Sequence, residues 1–324
     1  MRAVIPVAGF GSRLRPHTHS LPKVLLNVAG KPILSHILDE LVIQGISKLT
    51  MITGYKGEMI EDYVNQNYKF DSTFVEQKEL LGLGHAIWTA AETFDNEPIL
   101  IILGDTIFDA DLSLASEAGV NSIGVKQVED PRRFGVVLLD EEEKIQKFIE
   151  KPQTPVSNLA IVGIYYFANG LKLKNALNKL IDQDIRTNNE YQLTDALQLM
   201  LESGEEFKTF PVSGWYDCGK KETMLATNQF LLEKYNYKYK IENTVVIDPC
   251  YIADTAKVTN SVVGPYASIA AGSVVTNSII ENTIISENAN VSQISLTQSI
   301  IGDNAMVEGK AIELNLGSNS EIII

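Results

Sequence analysis

The sequence predicts a two-part α/β protein, in which a mostly parallel sheet is followed by a β-helix of six-residue repeats. Up to about residue 230, short apolar strands alternate with helical stretches. After Tyr239 a five-residue phrase recurs, and aliphatic residues return at intervals of six. A chain of 324 residues is long enough for two domains, which we place at residues 1–238 and 239–324.

The strand-like runs of the first part are short and almost entirely apolar, as is typical of strands covered on both faces. They lie at residues 3–8, 49–53, 99–103 and 161–167. Apolar residues recur with helical spacing at residues 33–44, 58–67 and 223–235. This alternation indicates βαβ units and a mostly parallel, buried sheet.

The phrase of the second part combines Glu or Thr, Asn or Gln, Ser or Thr, and two aliphatic residues. It begins at residues 242, 259, 276, 281 and 297, and three of these starts are 17 residues apart. Val263, Ile269 and Val275 illustrate the six-residue aliphatic spacing. Because three hexapeptides make one coil of a triangular β-helix, these intervals fit one coil with a shortened corner. Five near-regular copies disfavour the alternative, an ordinary β domain with coincident Val and Ile pairs.

The formal net charge is −14, yet the first 38 residues carry five basic side chains and no acid. The overall acidity argues against nucleic acid as a partner, because such binding needs a basic face. The two cysteines form no disulfide framework. The first apolar run is too short for a signal peptide, and no run approaches the length of a membrane span. We therefore expect a cytoplasmic protein without a membrane partner.

A glycine-rich basic loop follows the first predicted strand. It reads Gly9-Phe10-Gly11-Ser12-Arg13 and is followed by Pro22-Lys23. The backbone N–H groups of such a loop can surround an anion, and nearby cations can neutralise it. The loop therefore predicts a phosphate site at the carboxyl end of a parallel strand. The alternative is a solvated loop with ordinary surface charges.

Two aspartates are candidate ligands of a magnesium ion. Asp105 ends the strand-like run at residues 99–103, where the ligand crevice of a parallel sheet opens, and Asp217 lies in a distant segment. Two carboxylates could share one ion while phosphate oxygens complete its shell. The alternative for each aspartate alone is a helix cap or a turn residue.

Two further segments carry candidate binding groups. In Glu150-Lys151 the lysine could bind a phosphate while the acid takes a hydroxyl group, although an ordinary surface ion pair is the alternative. The amide of Gln77 can both donate to and accept from a base edge, and Gly82 lets a flat ring approach the backbone. We expect His85 to pack or cap rather than to catalyse.

Taken in order, these motifs resemble the sugar-1-phosphate nucleotidylyltransferases over most of residues 1–230. The matching segments are Gly9–Arg13 with Pro22-Lys23, Gly104-Asp105, Phe134-Gly135-Val136, Glu150-Lys151-Pro152, Asn189–Asp195 and Trp215–Gly219. Phe10 departs from the family, in which many members have glycine at that position. The appended β-helix is similar to that of the longer members.

The resemblance implies a Rossmann-like sheet, a left-handed β-helix and a magnesium-dependent reaction. A sugar 1-phosphate and a nucleoside triphosphate, the two partners, would form a nucleotide-sugar and pyrophosphate. The catalytic residues implied are Arg13, Lys23 and Lys151; the nucleotide site comprises Gly9, Gly11, Gln77 and Gly82; the sugar-phosphate site comprises Gly135, Glu150, Lys151, Val162 and Gly163; and the metal ligands are Asp105 and Asp217.

The motifs favour UTP or dTTP with glucose 1-phosphate, and a mannose-1-phosphate guanylyltransferase or another substrate pair is the alternative. A non-catalytic regulatory homologue is disfavoured by the retained charged residues. A hexapeptide acyltransferase is disfavoured because all four histidines lie at or before His85, outside the β-helix. The apolar tail Ile322–Ile324 predicts a homo-oligomer.

Overall fold

The computed structural model describes residues 1–117 and 119–310. The chain separates into two compact units: Met1–Leu26 with Lys31–Thr227, and Asn27–Gly30 with the residues from Asn228 onward. The division of roles between residues 1–238 and 239–324 stays a prediction. So does the homo-oligomer, since Ile322–Ile324 lies outside the described residues. Among the described helices, none has the length and apolar character needed to cross a bilayer.

The elements of the first unit follow the predicted alternation closely. The described α-helices of the chain are α1 (Ile33–Ile43), α2 (Gly57–Asn67), α3 (Leu83–Thr89), α4 (Ser113–Glu117), α5 (Gly170–Asp182), α6 (Leu193–Glu202) and α7 (Lys221–Tyr235). The strands before the β-helix are β1 (Arg2–Pro6), β2 (Asn27–Val28), β3 (Lys31–Pro32), β4 (Lys48–Thr53), β5 (Asp71–Glu76), β6 (Ile99–Ile102), β7 (Thr106–Asp109), β8 (Asn121–Gln127), β9 (Gly135–Leu139), β10 (Ile145–Glu150), β11 (Leu159–Phe167), β12 (Phe207–Pro211) and β13 (Gly214–Asp217).

The main sheet has the strand order β10-β9-β11-β6-β1-β4-β5, with β8 and then β12 beside β11. Strands β6, β1, β4 and β5 are parallel, which confirms the predicted parallel sheet, and β11 adds antiparallel pairs with β6, β8 and β9. In β1, Val4 belongs to one core cluster, whereas Ala3 and Ile5 belong to another. The strand is therefore covered on both faces, as its apolar sequence requires.

The carboxyl ends of the parallel strands position the chemistry of the first unit. The glycine loop follows β1, Gly104-Asp105 follows β6, and Gln77 follows β5. Since parallel strands end at the same edge, these three segments open onto one crevice. A separate antiparallel pair, β7 with β13, sets Asp217 opposite Thr106.

The second unit stacks its short strands in parallel on three sides, which confirms the predicted hexapeptide β-helix. One stack is β14 (Val245–Val246), β17 (Val262–Val263), β20 (Ile279–Glu281) and β23 (Ser295–Thr297). The next is β15 (Tyr251–Ile252), β18 (Ser268–Ile269), β21 (Ile284–Ile285) and β24 (Ile300–Ile301). The third is β16 (Lys257–Thr259), β19 (Val274–Thr276), β22 (Asn290–Ser292) and β25 (Met306–Glu308).

The recurring phrase forms the corner that leads into a strand. Its second residue has a positive φ in all five copies, at Asn243, Asn260, Asn277, Asn282 and Gln298. Asparagine tolerates this left-handed conformation better than most side chains. In four of the five copies the next hydroxyl donates to the carbonyl two residues earlier, as from Ser278 Oγ to Thr276 O at 2.8 Å, whereas Thr244 Oγ1 of the first copy is buried without a partner. The phrase is therefore a corner motif, with three copies leading into the first stack and two into the second.

Strand β20 offers a direct test of which side chains fill the β-helix. Ile280 is fully buried in the coil interior, whereas its neighbour Ile279 is 51% exposed. We expect Ile280→Ala to lower the free energy of unfolding by about 2–5 kcal/mol, because it leaves a cavity in a packed core. The matched Ile279→Ala variant should change it by less than about 0.5 kcal/mol. Urea unfolding followed by circular dichroism measures both, and equal losses would contradict this assignment of faces.

Candidate active site

A cavity of about 490 Å³ opens at the carboxyl end of β1; we call it the loop cavity. Seven of the predicted site residues line it: Gly9, Gly11, Arg13, Lys23, Gln77, Gly82 and Asp105. They come from residues 9–23, residues 77–82 and Asp105, which are far apart in the sequence. The structure therefore joins the predicted phosphate loop, base-binding residues and one predicted metal ligand in a single site.

Lys23 and Asp105 form an ion pair across the loop cavity. Lys23 Nζ lies 2.7 Å from Asp105 Oδ2, and the two side chains are 10% and 43% exposed. The lysine is held in a single helical turn after the glycine loop, whereas the aspartate follows β6. The Asp105 carboxylate thus has a cationic partner within the protein.

Asp217 lies beside the ion pair of Lys23 and Asp105, but it does not line the loop cavity. The strand pairing of β13 with β7 continues at Cys218, whose backbone N–H donates to Asp105 O at 3.1 Å. A Cβ on Gly219 would lie 2.8 Å from Asp217 Oδ1 and 2.9 Å from Arg13 Nη2. The Asp217 carboxylate and the Arg13 guanidinium therefore face each other across a space that requires glycine at residue 219.

Cys218 contributes its backbone rather than its thiol to this arrangement. The side chain is completely buried, and that burial raises the pKa of the thiol to about 12. The group is neutral at physiological pH, so it offers neither a nucleophile nor an anionic metal ligand.

The far end of the loop cavity presents an oriented amide and a glycine packed against the backbone of Tyr191. Gln77 is buried, and its Nε2 atom lies 3.3 Å from Nδ1 of His85. Burial lowers the pKa of His85, so the imidazole is neutral and can accept this hydrogen bond, and the ring also stacks on Tyr191. Gly82 has a φ of +110°, and a Cβ there would lie 2.6 Å from Tyr191 O. His85 thus packs and orients Gln77, in line with its predicted structural role.

A second cavity of about 310 Å³ lies between strands β9, β10 and β11; we call it the strand cavity. It is lined by the predicted sugar-phosphate residues Gly135, Glu150, Lys151, Val162 and Gly163. Leu83, Leu103 and Glu190 line both cavities, so the two adjoin. All predicted site residues except Asp217 therefore line one continuous crevice.

Glu150 is held from two sides within the strand cavity. Its Oε2 atom accepts a hydrogen bond from Thr194 Oγ1 at 2.9 Å, and its Oε1 atom lies 3.2 Å from Lys151 Nζ. The neighbouring Asp195 has a buried Oδ2 atom without a hydrogen-bond partner. Burial, and then the negative charge of Glu150, raise the pKa of Asp195. The contacts with Thr194 and Lys151 thus give the carboxylate of Glu150 a fixed orientation towards the cavity.

Sequence reasoning missed several residues that line the strand cavity: Arg133, Tyr165, Glu190, Thr194 and Trp215. Glu190, Thr194 and Trp215 belong to motifs already noted, but a motif does not say which member faces a ligand. The sequence places Tyr165 within a predicted apolar strand and gives no sign that its side chain lines a cavity. Its pKa is raised by burial and then by the charge of Glu150. Arg133 precedes the Phe134-Gly135-Val136 motif and carried no signal of its own.

A family model described as nucleotidyl transferase matches residues 2–234. The chain belongs to the nucleotidyl transferase family. The match covers all the residues of both cavities and ends before the first strand of the β-helix. The family assignment therefore rests on the part of the chain that holds the site.

Individual members of the nucleotidyl transferase family are similar over longer or shorter parts of the chain. The bifunctional protein GlmU of Methanocaldococcus jannaschii is 35% identical, covering 98% of this chain and 81% of GlmU. A glucose-1-phosphate thymidylyltransferase of Streptomyces antibioticus is 31% identical, covering 98% and 93%. A crystal structure of a UDP-glucose pyrophosphorylase in complex with UDP-glucose is 27% identical, with a TM-score of 0.62, and covers 72% of this chain and 98% of that chain.

Proposed function

We propose that the protein transfers a nucleotidyl group from a nucleoside triphosphate to a sugar 1-phosphate, forming a nucleotide-sugar and pyrophosphate. One observation carries the proposal: the glycine loop with Arg13 and Lys23 opens directly into a second cavity that holds Lys151 and Glu150. Two adjoining compartments, each with its own cation, suit two phosphate-bearing reactants. Membership of the nucleotidyl transferase family supports the same reaction class.

The loop cavity would bind the triphosphate. Its glycine backbone lets N–H groups approach the phosphate oxygens, and Arg13 would neutralise the charge that develops on the leaving pyrophosphate. Lys23 would exchange its contact with Asp105 for a phosphate oxygen near the reacting phosphorus. At the far end, Gln77 and Gly82 would bind the base, with His85 fixing the direction of the amide.

The strand cavity would bind the sugar 1-phosphate. Lys151 would contact its phosphate, and the fixed carboxylate of Glu150 would accept hydrogen bonds from sugar hydroxyl groups. Gly135 and Gly163 would bring bare backbone against the sugar ring. An oxygen of this phosphate would then attack the α-phosphorus in line with the departing pyrophosphate. Positioning of the two anions and neutralisation of their charge would supply most of the rate.

Members of the family generally use a divalent metal ion, and we expect that ion to be magnesium here. Magnesium is commonly held by one or two carboxylates together with substrate phosphates, and Asp105 and Asp217 offer such a pair on adjoining segments. The described residues include no cluster of three or more His, Cys, Asp or Glu side chains around one point. The ion would neutralise phosphate charge between the reactants and would depend on them for most of its ligands.

We expect UTP or dTTP with glucose 1-phosphate to be the best substrate pair. The names of the relatives support this choice, since they include a glucose-1-phosphate thymidylyltransferase and a UDP-glucose pyrophosphorylase. Uracil and thymine differ by one methyl group, which a pocket discriminates by only about 1–3 kcal/mol, so we expect both to react.

A matrix of UTP, dTTP, CTP, GTP and ATP against glucose, mannose, galactose and N-acetylglucosamine 1-phosphates tests this function. Pyrophosphate release, read as phosphate after added pyrophosphatase, should be largest for a pyrimidine nucleotide with glucose 1-phosphate. A best rate with GTP and mannose 1-phosphate would support the alternative pair. Absence of release from every pair would contradict the proposed reaction and favour a non-catalytic binding role.

A further inference from the structure

Arg133 is an exposed, uncompensated cation on the wall of the strand cavity. It lines that cavity together with Glu150, Lys151 and Glu190. Within residues 1–117 and 119–310, no hydrogen bond or ion pair joins it to a protein acceptor; its charge merely contributes to the lowered pKa of Asp130. Its guanidinium donors are therefore available to a ligand in the cavity.

Arg132 and Arg133 lie in the same short turn, but their side chains point in different directions. Residues Pro131–Arg133 form a single 3₁₀ turn, and Asp130 accepts the backbone N–H of Arg132 at 3.2 Å. The Asp130 carboxylate also takes two hydrogen bonds from the Arg132 guanidinium, at 2.8 and 2.9 Å. Successive side chains of a 3₁₀ turn point about 120° apart. The Arg132 guanidinium is thus paired with the nearby Asp130 carboxylate, whereas Arg133 faces the strand cavity.

The charge balance of the strand cavity calls for this second cation. The charged side chains on its wall are Arg133, Lys151, Glu150 and Glu190, so their formal charges cancel. Without Arg133 the wall would carry a net negative charge, and Lys151 is already paired with Glu150 at 3.2 Å. A phosphate monoester carries nearly two negative charges near neutral pH and would be repelled by such a wall. A guanidinium fork can hold two of its oxygens at once.

We propose that Arg133 binds the phosphate of the sugar 1-phosphate beside Lys151, and that this contact selects the phosphorylated sugar over the free sugar. The proposal rests on the proposed function, since it concerns the acceptor of the same reaction. The role differs from that of Lys151, which also neutralises Glu150, because Arg133 has no competing acceptor in the described parts of the chain.

Steady-state kinetics of Arg133→Gln and the matched Arg132→Gln variant test the proposal. Loss of a charged hydrogen-bond donor should raise the KM for glucose 1-phosphate about 10–100-fold in Arg133→Gln, while the KM for UTP stays unchanged. Arg132→Gln should behave as the wild-type protein, and Arg133→Lys should recover part of the affinity. An unchanged KM for glucose 1-phosphate in Arg133→Gln, or an equal rise in the KM for UTP, would overturn the proposal.

Calorimetry tests the role of Arg133 in binding independently of nucleotidyl transfer. Glucose 1-phosphate is titrated into protein saturated with a UTP analogue that has a methylene group between the α- and β-phosphorus atoms. Arg133→Gln should weaken this binding by the same factor as the KM, with no effect on titration of free glucose. If the wild-type protein binds glucose 1-phosphate but transfers nothing, the proposed function fails and the binding test still decides the role of Arg133. Equal affinities in the two proteins would reject that role whether or not transfer occurs.

Discussion

Asp105→Asn is expected to lower the turnover of nucleotidyl transfer by about 10²–10³-fold, because it removes one of the two carboxylates proposed to hold the metal ion that neutralises phosphate charge. Asparagine keeps the shape of the side chain, and Asp105 is only half-buried, so we expect the fold to persist. The substitution also breaks the ion pair with Lys23, which leaves one further positive charge beside the triphosphate. Pyrophosphate release at saturating UTP and glucose 1-phosphate measures the effect.

A double-variant experiment shows whether Asp105 and Asp217 act together. If both carboxylates hold one metal ion, Asp217→Asn should cost about as much as Asp105→Asn, and the double variant should cost little more than either. Asp111→Asn is the control, since Asp111 is an exposed carboxylate beyond β7 that hydrogen-bonds only to nearby Ser113 among the described contacts. Near wild-type turnover of Asp105→Asn would remove Asp105 from the mechanism.

Arg13→Ala is expected to lower turnover by about 10²–10³-fold through loss of the charge that stabilises the leaving pyrophosphate. Arg13 lines the loop cavity and faces Asp217 across Gly219. The same group should bind pyrophosphate in the reverse reaction, so the KM for pyrophosphate should rise as well. Both directions can be followed with UDP-glucose as product and as substrate.

Arg15→Ala is the matched control for Arg13→Ala. Arg15 belongs to the same basic segment and is also exposed, but it does not line the loop cavity. A general effect of positive charge on the attraction of nucleotides would make the two variants equally defective and would vary with ionic strength. Equal losses would therefore contradict the specific role of Arg13, whereas a loss confined to Arg13→Ala supports it.

The predicted architecture is confirmed because its signals are local. Apolar runs ending in glycine or aspartate predicted β1 and β6, and helical spacing predicted α1 almost to its last residue. The β-helix could be predicted because similar corners recur along it, each with a left-handed Asn or Gln followed by Ser or Thr. The sequence could not show that the five phrases divide between two stacks, because that assignment depends on the strand register around the whole coil.

The candidate site could be predicted as a set of residues but not as an arrangement. Lys23 and Asp105 are 82 residues apart, and only the sheet order that places β1 beside β6 brings them into contact. The same holds for Thr194 and Glu150, whose contact depends on the packing of α6 near β10. Arg133 was missed because its difference from Arg132 lies in the direction of one side chain within a single turn.

Separate labels on the α- and γ-phosphates of the triphosphate test most directly whether the protein transfers a nucleotidyl group. The protein is incubated with glucose 1-phosphate, magnesium and UTP labelled either at the α-phosphate or at the γ-phosphate. If the loop cavity and the strand cavity join two phosphates at the α-phosphorus, the α-label appears in UDP-glucose and the γ-label in pyrophosphate. Release of the γ-label as inorganic phosphate, with the α-label remaining in UDP, would show cleavage at a different bond and would contradict the proposed mechanism.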